Sequence, residues 1–171
     1  MLKHSISISG FMALIDIATF DRRVETLGYE TLAASAVRQT QQGRMFAWGC
    51  PEGSFTIRMV IAPPKTDFRP VESTAGEITT SGNLCISSYE NLLYAAQFLQ
   101  VPFPIIEGSI FDDVTLSIAP GHYAVDVHRM FKWEHGEQYP AELNEGDNFV
   151  LVLKPMAANA HKKPYEKVPW T

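Results

Sequence analysis

Two cysteines and five histidines are the side chains in this chain whose chemistry most often builds a catalytic or metal centre. Neither group is spaced for one. Cys50 and Cys85 are far apart and no C-x-x-C pair exists, so a structural zinc site of the common kind is excluded. A reactive thiol needs an adjacent base, and Cys85 shows none in sequence. Two reduced, buried thiols are the expectation, with a disulfide as the alternative. His122 and His128 share one face of a strand-like run, but six residues of strand separate their Cα atoms by ~20 Å, too far to chelate one metal. His4, His135 and His161 have no ligand-spaced partners. Asp112 and Asp113 are adjacent, and neighbours on a strand point to opposite faces, so they do not form an acid/base dyad. No phosphate-binding loop or dinucleotide fingerprint is present. The expectation is a protein without a catalytic set, metal or cofactor. An enzyme assembled from dispersed residues is the minor alternative.

One stretch stands out for recognition rather than reaction. Residues 134–147 (EHGEQYPAELNEGD) carry Glu134, Glu137, Glu142, Glu145 and Asp147 with no Lys or Arg, include Tyr139 and follow Trp133. Charged loops of this kind are often only solvated connections. Read functionally, the carboxylates speed encounter with a basic partner and the aromatic rings anchor it. These seven residues are the candidate partner-binding set.

The charge distribution supports the same direction. The chain carries −5 overall, yet Lys154, Lys162, Lys163 and Lys167 against Glu166 make residues 154–171 +3, which leaves −8 on the part before it. Such a field repels phosphate backbones, so direct nucleic-acid binding is not expected, and basic proteins are the favoured partners. The hydrophobic fraction of 46% fits a globular chain able to bury a core without metals or disulfides. No apolar run approaches the ~18 residues of a membrane helix. The first residues lack a secretory pattern, so a cytoplasmic location is expected. Homodimerisation stays open.

These features need elements to position them. His4–Ser9 alternates in strand fashion, Gly10 breaks it, and Phe11–Thr19 is a second β-rich run. Thr31–Gln42 reads as a short helix stopped by Gly43. Residues 44–49 and 54–62 flank Cys50-Pro51-Glu52-Gly53, a hairpin signal, with Trp48 and Phe55 expected in the core. Val71–Thr80 leads through Ser81-Gly82-Asn83 to Leu84–Ile86. Tyr89–Leu99 has the clearest helical period, with Ser87 or Ser88 as cap. Val114–Ile118 and His122–Phe131 read as a strand–turn–strand pair around Pro120-Gly121, and Asn148–Leu153 as a buried strand. The prediction is eight to ten strands and one or two short helices in a mainly β domain. It would be an antiparallel β-sandwich or jelly-roll-like barrel spanning residues 1–154, followed by a loose tail, 155–171.

Three pieces in chain order carry a resemblance. They are Gln41-Gln42-Gly43-Arg44-Met45-Phe46-Ala47-Trp48, then Pro51-Glu52-Gly53-Ser54-Phe55-Thr56-Ile57, then Leu116-Ser117-Ile118-Ala119-Pro120-Gly121-His122-Tyr123. With Ser5–Phe11 they resemble the competence protein J family, inhibitors of a bacterial DNA-entry nuclease, over about residues 4–131. Relative to that pattern the helix at Tyr89–Leu99, the acidic stretch and the tail are additions, and no inhibitory residue transfers to a position here. The resemblance implies a bacterial, non-enzymatic inhibitor of the immunity or antitoxin type, acting on a basic toxin or nuclease. A β-sandwich module binding a small ligand or structural partner is the alternative.

Overall fold

A computed structural model describes residues 2–24, 26–61, 69–105, 113–134, 137, 140, 143, 146–157 and 165–170, with the backbone alone for 2–9. The chain is mainly β with two short helices, as expected. Among the described residues there are seven strands, β1 (Leu2–Asp16), β2 (Met45–Ile61), β3 (Glu72–Thr80), β4 (Asn83–Ser88), β5 (Val114–Ser117), β6 (Gly121–Arg129) and β7 (Phe149–Met156). The helices are α1 (Tyr29–Gln41) and α2 (Tyr89–Gln97). All seven strands belong to one mixed sheet, ordered β3-β6-β7-β2-β1-β4-β5, in which β2 and β7 run parallel. Two separate antiparallel sheets are therefore not what forms.

The reason lies in two turn signals that mark corners rather than hairpins. β3 and β4 are joined by Ser81-Gly82 alone, yet they stand five places apart in the sheet. Five strand spacings laid flat would be ~24 Å, whereas the link from Thr80 to Asn83 reaches at most ~11 Å. The sheet must fold over itself, and its twist supplies the direction. The short link from β5 to β6 crosses at the same corner, where the Ile118 amide donates to the Gly82 carbonyl at 2.9 Å. Gly82 sits at φ 116°, and a Cβ there would meet that Ile118 carbonyl at 3.2 Å. β5 pairs with β4 and β6 with β3 and β7, so the expected β5–β6 hairpin is absent.

The other expected hairpin is also different. β2 continues straight through Cys50-Pro51-Glu52-Gly53, because β1 is long enough to pair with both halves. Register passes from Ile8↔Gly53 to Gly10↔Cys50, so β2 carries one extra residue, a bulge. Pro51, which has no N–H for a ladder, is tolerated in that irregular stretch. Gly10 supplies the left-handed backbone opposite, at φ 83°.

Folding over gives the sheet an inside and an outside. Met12, Leu14, Phe46, Trp48, Phe55, Ile57, Leu84, Val125, Val127, Phe149 and Leu151 meet inside. The alternate residues of β1 and β2 (Phe11, Ala13, Ile15, Met45 and Ala47) pack outside against Leu32 and Ala36 of α1 and Leu92 of α2. α2 starts where Ser88 Oγ accepts the Asn91 amide at 3.2 Å, one of the two caps expected. The closing segment is not a loose tail in its described part. Tyr165 donates to the Ala47 carbonyl, Val168 is buried in the outer cluster and Trp170 in the inner one. β7 itself runs to Met156, past the expected boundary at 154.

One buried carboxylate ties the corner. Asp16, at the end of β1, accepts from Thr80 Oγ1 (2.9 Å), Ser81 N (2.8 Å) and Ser81 Oγ (2.9 Å) on one oxygen, and from Thr19 Oγ1 (2.8 Å) on the other. Burial opposes its charged form, but the donors at Ser81, Thr19 and Thr80 outweigh burial and hold the carboxyl below its ordinary value.

Candidate partner-binding loop

The chain between β6 and β7 carries the acidic stretch, and its base is held firmly. At its far end Asn148 clamps β2 from both sides: its amide donates to the Thr56 carbonyl, and its side-chain oxygen accepts the Thr56 amide, each at 2.8 Å. Asn148 also offers its carbonyl to the Met130 amide at 2.9 Å, which closes the first rung between β6 and β7. Asp147 beside it meets Arg58 Nε at 3.1 Å. That carboxylate is therefore engaged within the fold.

At the near end, Trp133 is buried in the inner core with 9% of its surface exposed. Its place among the surface anchors needs correction. The indole packs at the edge of the inner core, and its Nε1–H donates to the Glu137 carbonyl at 2.8 Å. The Glu137 amide donates in turn to the Glu134 carbonyl at 3.1 Å. The effect of this turn is to hold the Glu134 and Glu137 side chains out in solvent. Tyr139, Glu142 and Glu145 lie outside the described residues. Of the seven candidates, then, Glu134 and Glu137 present free acidic surface, Trp133 and Asp147 support the loop, and three are not placed.

A residue that sequence reasoning passed over organises this base. Arg129 ends β6 with 3% of its surface exposed. Its Nη1 donates to the Trp133 carbonyl at 2.8 Å, and its Nη2 reaches Glu72 on β3. Its guanidinium carbon stands 5.3 Å from the Trp133 ring centre, 5.5 Å from Trp170 and 5.7 Å from Phe131. Burial pulls its pKa below the usual arginine value, with Glu72 opposing. The signal was present in sequence: Tyr123, Val125, Val127 and Arg129 share one face by strand alternation, so a cation belonged to the apolar side.

Of the groups considered for catalysis, Cys50 comes within electrostatic reach of Arg129, whose charge opposes the effect of burial on its thiol, and the others sit elsewhere. Cys50 and Cys85 are free and buried, and burial pushes both thiols far above their ordinary range, Glu90 adding to it at Cys50 and Asp113 at Cys85. His128 Nδ1 lies 2.7 Å from Ser73 Oγ. His122 Nδ1 lies 3.0 Å from Thr79 Oγ1, and its Nε2 lies 3.2 Å from Glu77. Both are cross-strand pairs on the outer face of β3 and β6. Asp113 is buried, accepting from Asn91 Nδ2 and the Ile105 amide, each at 2.7 Å, and so anchors the chain after α2. Among the described residues no group of three metal-ligating side chains gathers, and no helix is long and apolar enough to cross a membrane. A shallow, half-open groove lies between α1, α2 and residues 20–24, lined by Phe11, Phe20, Leu32, Met45, Leu92 and Gln39 among others. Gln39 is fully used there, bonding both backbone groups of Asp21.

No family model matches the sequence, and no curated protein matches it. Solved structures do share the fold. A protein described as crocagin biosynthetic gene J aligns over 92% of this chain and 100% of its own, at 16% identity and a TM-score of 0.56. ComJ from Bacillus subtilis, described as an inhibitor of the DNA-degrading activity of NucA, aligns over 91% of this chain and 96% of its own, at 10% identity and a TM-score of 0.55. The resemblance read from the sequence thus extends to three dimensions, and at these identities it is a likeness of fold.

Proposed function

We propose that this protein is a non-enzymatic inhibitor, of the immunity or antitoxin type, that binds a basic toxin or nuclease and blocks it. The observation that carries this reading is the fold shared along nearly the whole chain with ComJ, a nuclease inhibitor. The pinned acidic turn supports it. Glu134 and Glu137 stand in solvent on a fixed backbone, which is how a loop mimics the charge of a nucleic-acid substrate without losing much freedom on binding. The acidic balance of the chain before residue 154 adds long-range attraction.

The test is affinity capture from the native host at low salt, together with co-expression of any toxin or nuclease encoded beside the gene. A basic DNA- or RNA-degrading enzyme that co-purifies and is inhibited at one-to-one stoichiometry supports the reading. Capture of no such enzyme refutes it. The double charge reversal Glu134→Lys with Glu137→Lys should slow association about ten-fold or more at low salt, because peripheral charges act mainly on the encounter rate. Folding stability should stay within about 0.5 kcal/mol, as for surface sites in general. Glu142→Lys and Glu145→Lys are expected to act the same way. Unchanged association in all these variants removes the loop from the interface.

The likeness to a crocagin biosynthesis protein favours a second reading, a binding module for a small ligand or structural partner. Under that reading the groove beside α1 takes the ligand, and ligand addition raises the melting temperature while charge reversal in the acidic turn changes nothing.

A further inference from the structure

The closing segment and the acidic turn meet at one buried cation. Residues 165–170 strap the fold. Gln41 Nε2 donates to the Tyr165 carbonyl at 2.9 Å, Tyr165 Oη donates to the Ala47 carbonyl at 2.5 Å, and the Gly49 amide donates to the Pro169 carbonyl at 2.6 Å. The strap ends by placing Trp170 over the Arg129 guanidinium, 6% exposed. Trp133, at the root of the acidic turn, contacts the same guanidinium and gives it its carbonyl as an acceptor. Arg129 therefore touches the strap and the turn at once.

We propose that Arg129 is a positioning residue for the acidic turn and that Trp170 is the latch controlling it: with Trp170 seated the turn is fixed, and with Trp170 lifted it is released. The physical reason is competition with water. While Trp170, Phe131 and Trp133 seal the guanidinium, its Nη donors have the Trp133 carbonyl and Glu72 as their acceptors. A buried donor left without an acceptor is expensive, so the seal enforces the bond to Trp133. Once Trp170 leaves, water satisfies the guanidinium and the bond is optional. Trp133 then loses that restraint, and the turn it holds through Glu137 loosens. The latch is built to move. Trp170 has φ 67°, a left-handed conformation that costs a bulky residue energy and persists only while its indole is buried.

The role of the turn in partner binding rests on the inhibitor reading, but its ordering does not. The experiment is hydrogen exchange by NMR on the full chain, read at the Trp133 indole N–H and the Glu137 amide, with amides of β1, and of β2 apart from the strap-bound Gly49, as internal references. Trp170→Ala should speed exchange at Trp133 and Glu137 about ten-fold or more, the scale of one charge-assisted hydrogen bond, and leave the reference amides unchanged. Trp170→Phe, which keeps a ring over the cation, should restore slow exchange. Arg129→Lys, which keeps charge but loses the planar fork, should behave like Trp170→Ala. Unchanged exchange at Trp133 in Trp170→Ala overturns the proposal, as does acceleration at the references by the same factor. If exchange behaves as expected but the enzyme captured above binds the Trp170→Ala variant no differently, the latch stands and the inhibitor site lies elsewhere.

Discussion

Asp16→Ala should be among the most damaging single substitutions available in this chain. Asp16 is completely buried and takes four hydrogen bonds where β1, the β3–β4 corner and the Thr19 turn converge. Alanine removes every acceptor. The Ser81 amide cannot turn away and loses a charge-assisted bond worth about 1.5–3 kcal/mol. The hydroxyls of Ser81 and Thr19 can rotate towards water, and Thr80 is buried, so a further 1–2 kcal/mol is expected from the group, roughly. The sum, about 2.5–5 kcal/mol, is a large share of the 5–15 kcal/mol that holds a typical domain. Asp16→Asn keeps an acceptor oxygen for Ser81 and Thr80 and should cost about half as much. The pH dependence gives an independent check. The carboxyl is held below its ordinary value in the folded state, so its contribution is fully present above the unfolded pKa near ~4. It is lost as pH falls through the lower folded value. Urea unfolding from pH 7 down to pH 2.5 should show wild type losing that contribution at the acid end, and Asp16→Asn lacking that component. If Asp16→Ala unfolds within 0.5 kcal/mol of wild type, roughly the scatter of surface sites, or if Asp16→Asn keeps the full acid dependence, the corner is not held as argued.

Two further perturbations follow from the packing. Gly76 on β3 faces the interior against the Phe46 ring, where a Cβ would come within 2.3 Å of two ring carbons. Phe46 is fully buried, so Gly76→Ala should cost about 1–3 kcal/mol by overpacking, seen as a lower urea midpoint, and Phe46→Leu in the same chain should recover part of it. Cys50 and Cys85 should be inert to a thiol reagent in the native protein and both titrate after denaturation, since burial raises both thiols and leaves no thiolate to react. Rapid native labelling of either, or fewer than two thiols after denaturation without reductant, contradicts their placement.

Much that is local could be read from the residues in order. The period of Leu92, Leu93, Ala96 and Leu99 and the serine before them specify α2 to within two residues, because a helix closes its hydrogen bonds within its own span, although Leu99 itself lies past its end and is exposed. The alternation along residues 122–129 gives the inside and outside of β6, and the burial of Trp48 and Phe55 follows from their runs. The exposure of Glu134 and Glu137 was likewise legible, since carboxylates with no basic neighbour stay in water.

What pairs with what was decided only in three dimensions. Pro51-Glu52-Gly53 has the composition of a turn, yet it became a bulge because β1 was long enough to pair on both sides of it. Ser81-Gly82 and Ala119-Pro120 also have turn chemistry, but each connects two strands that are not neighbours. A turn signal specifies that the chain changes direction; which strand it then meets depends on the fit of whole apolar faces from distant segments. Asp16, Arg129 and the strap were hidden for the same reason. Their partners lie far along the chain, at Ser81, Glu72 and Ala47, and a buried charge can be recognised as satisfied only once the fold has brought those donors and acceptors together.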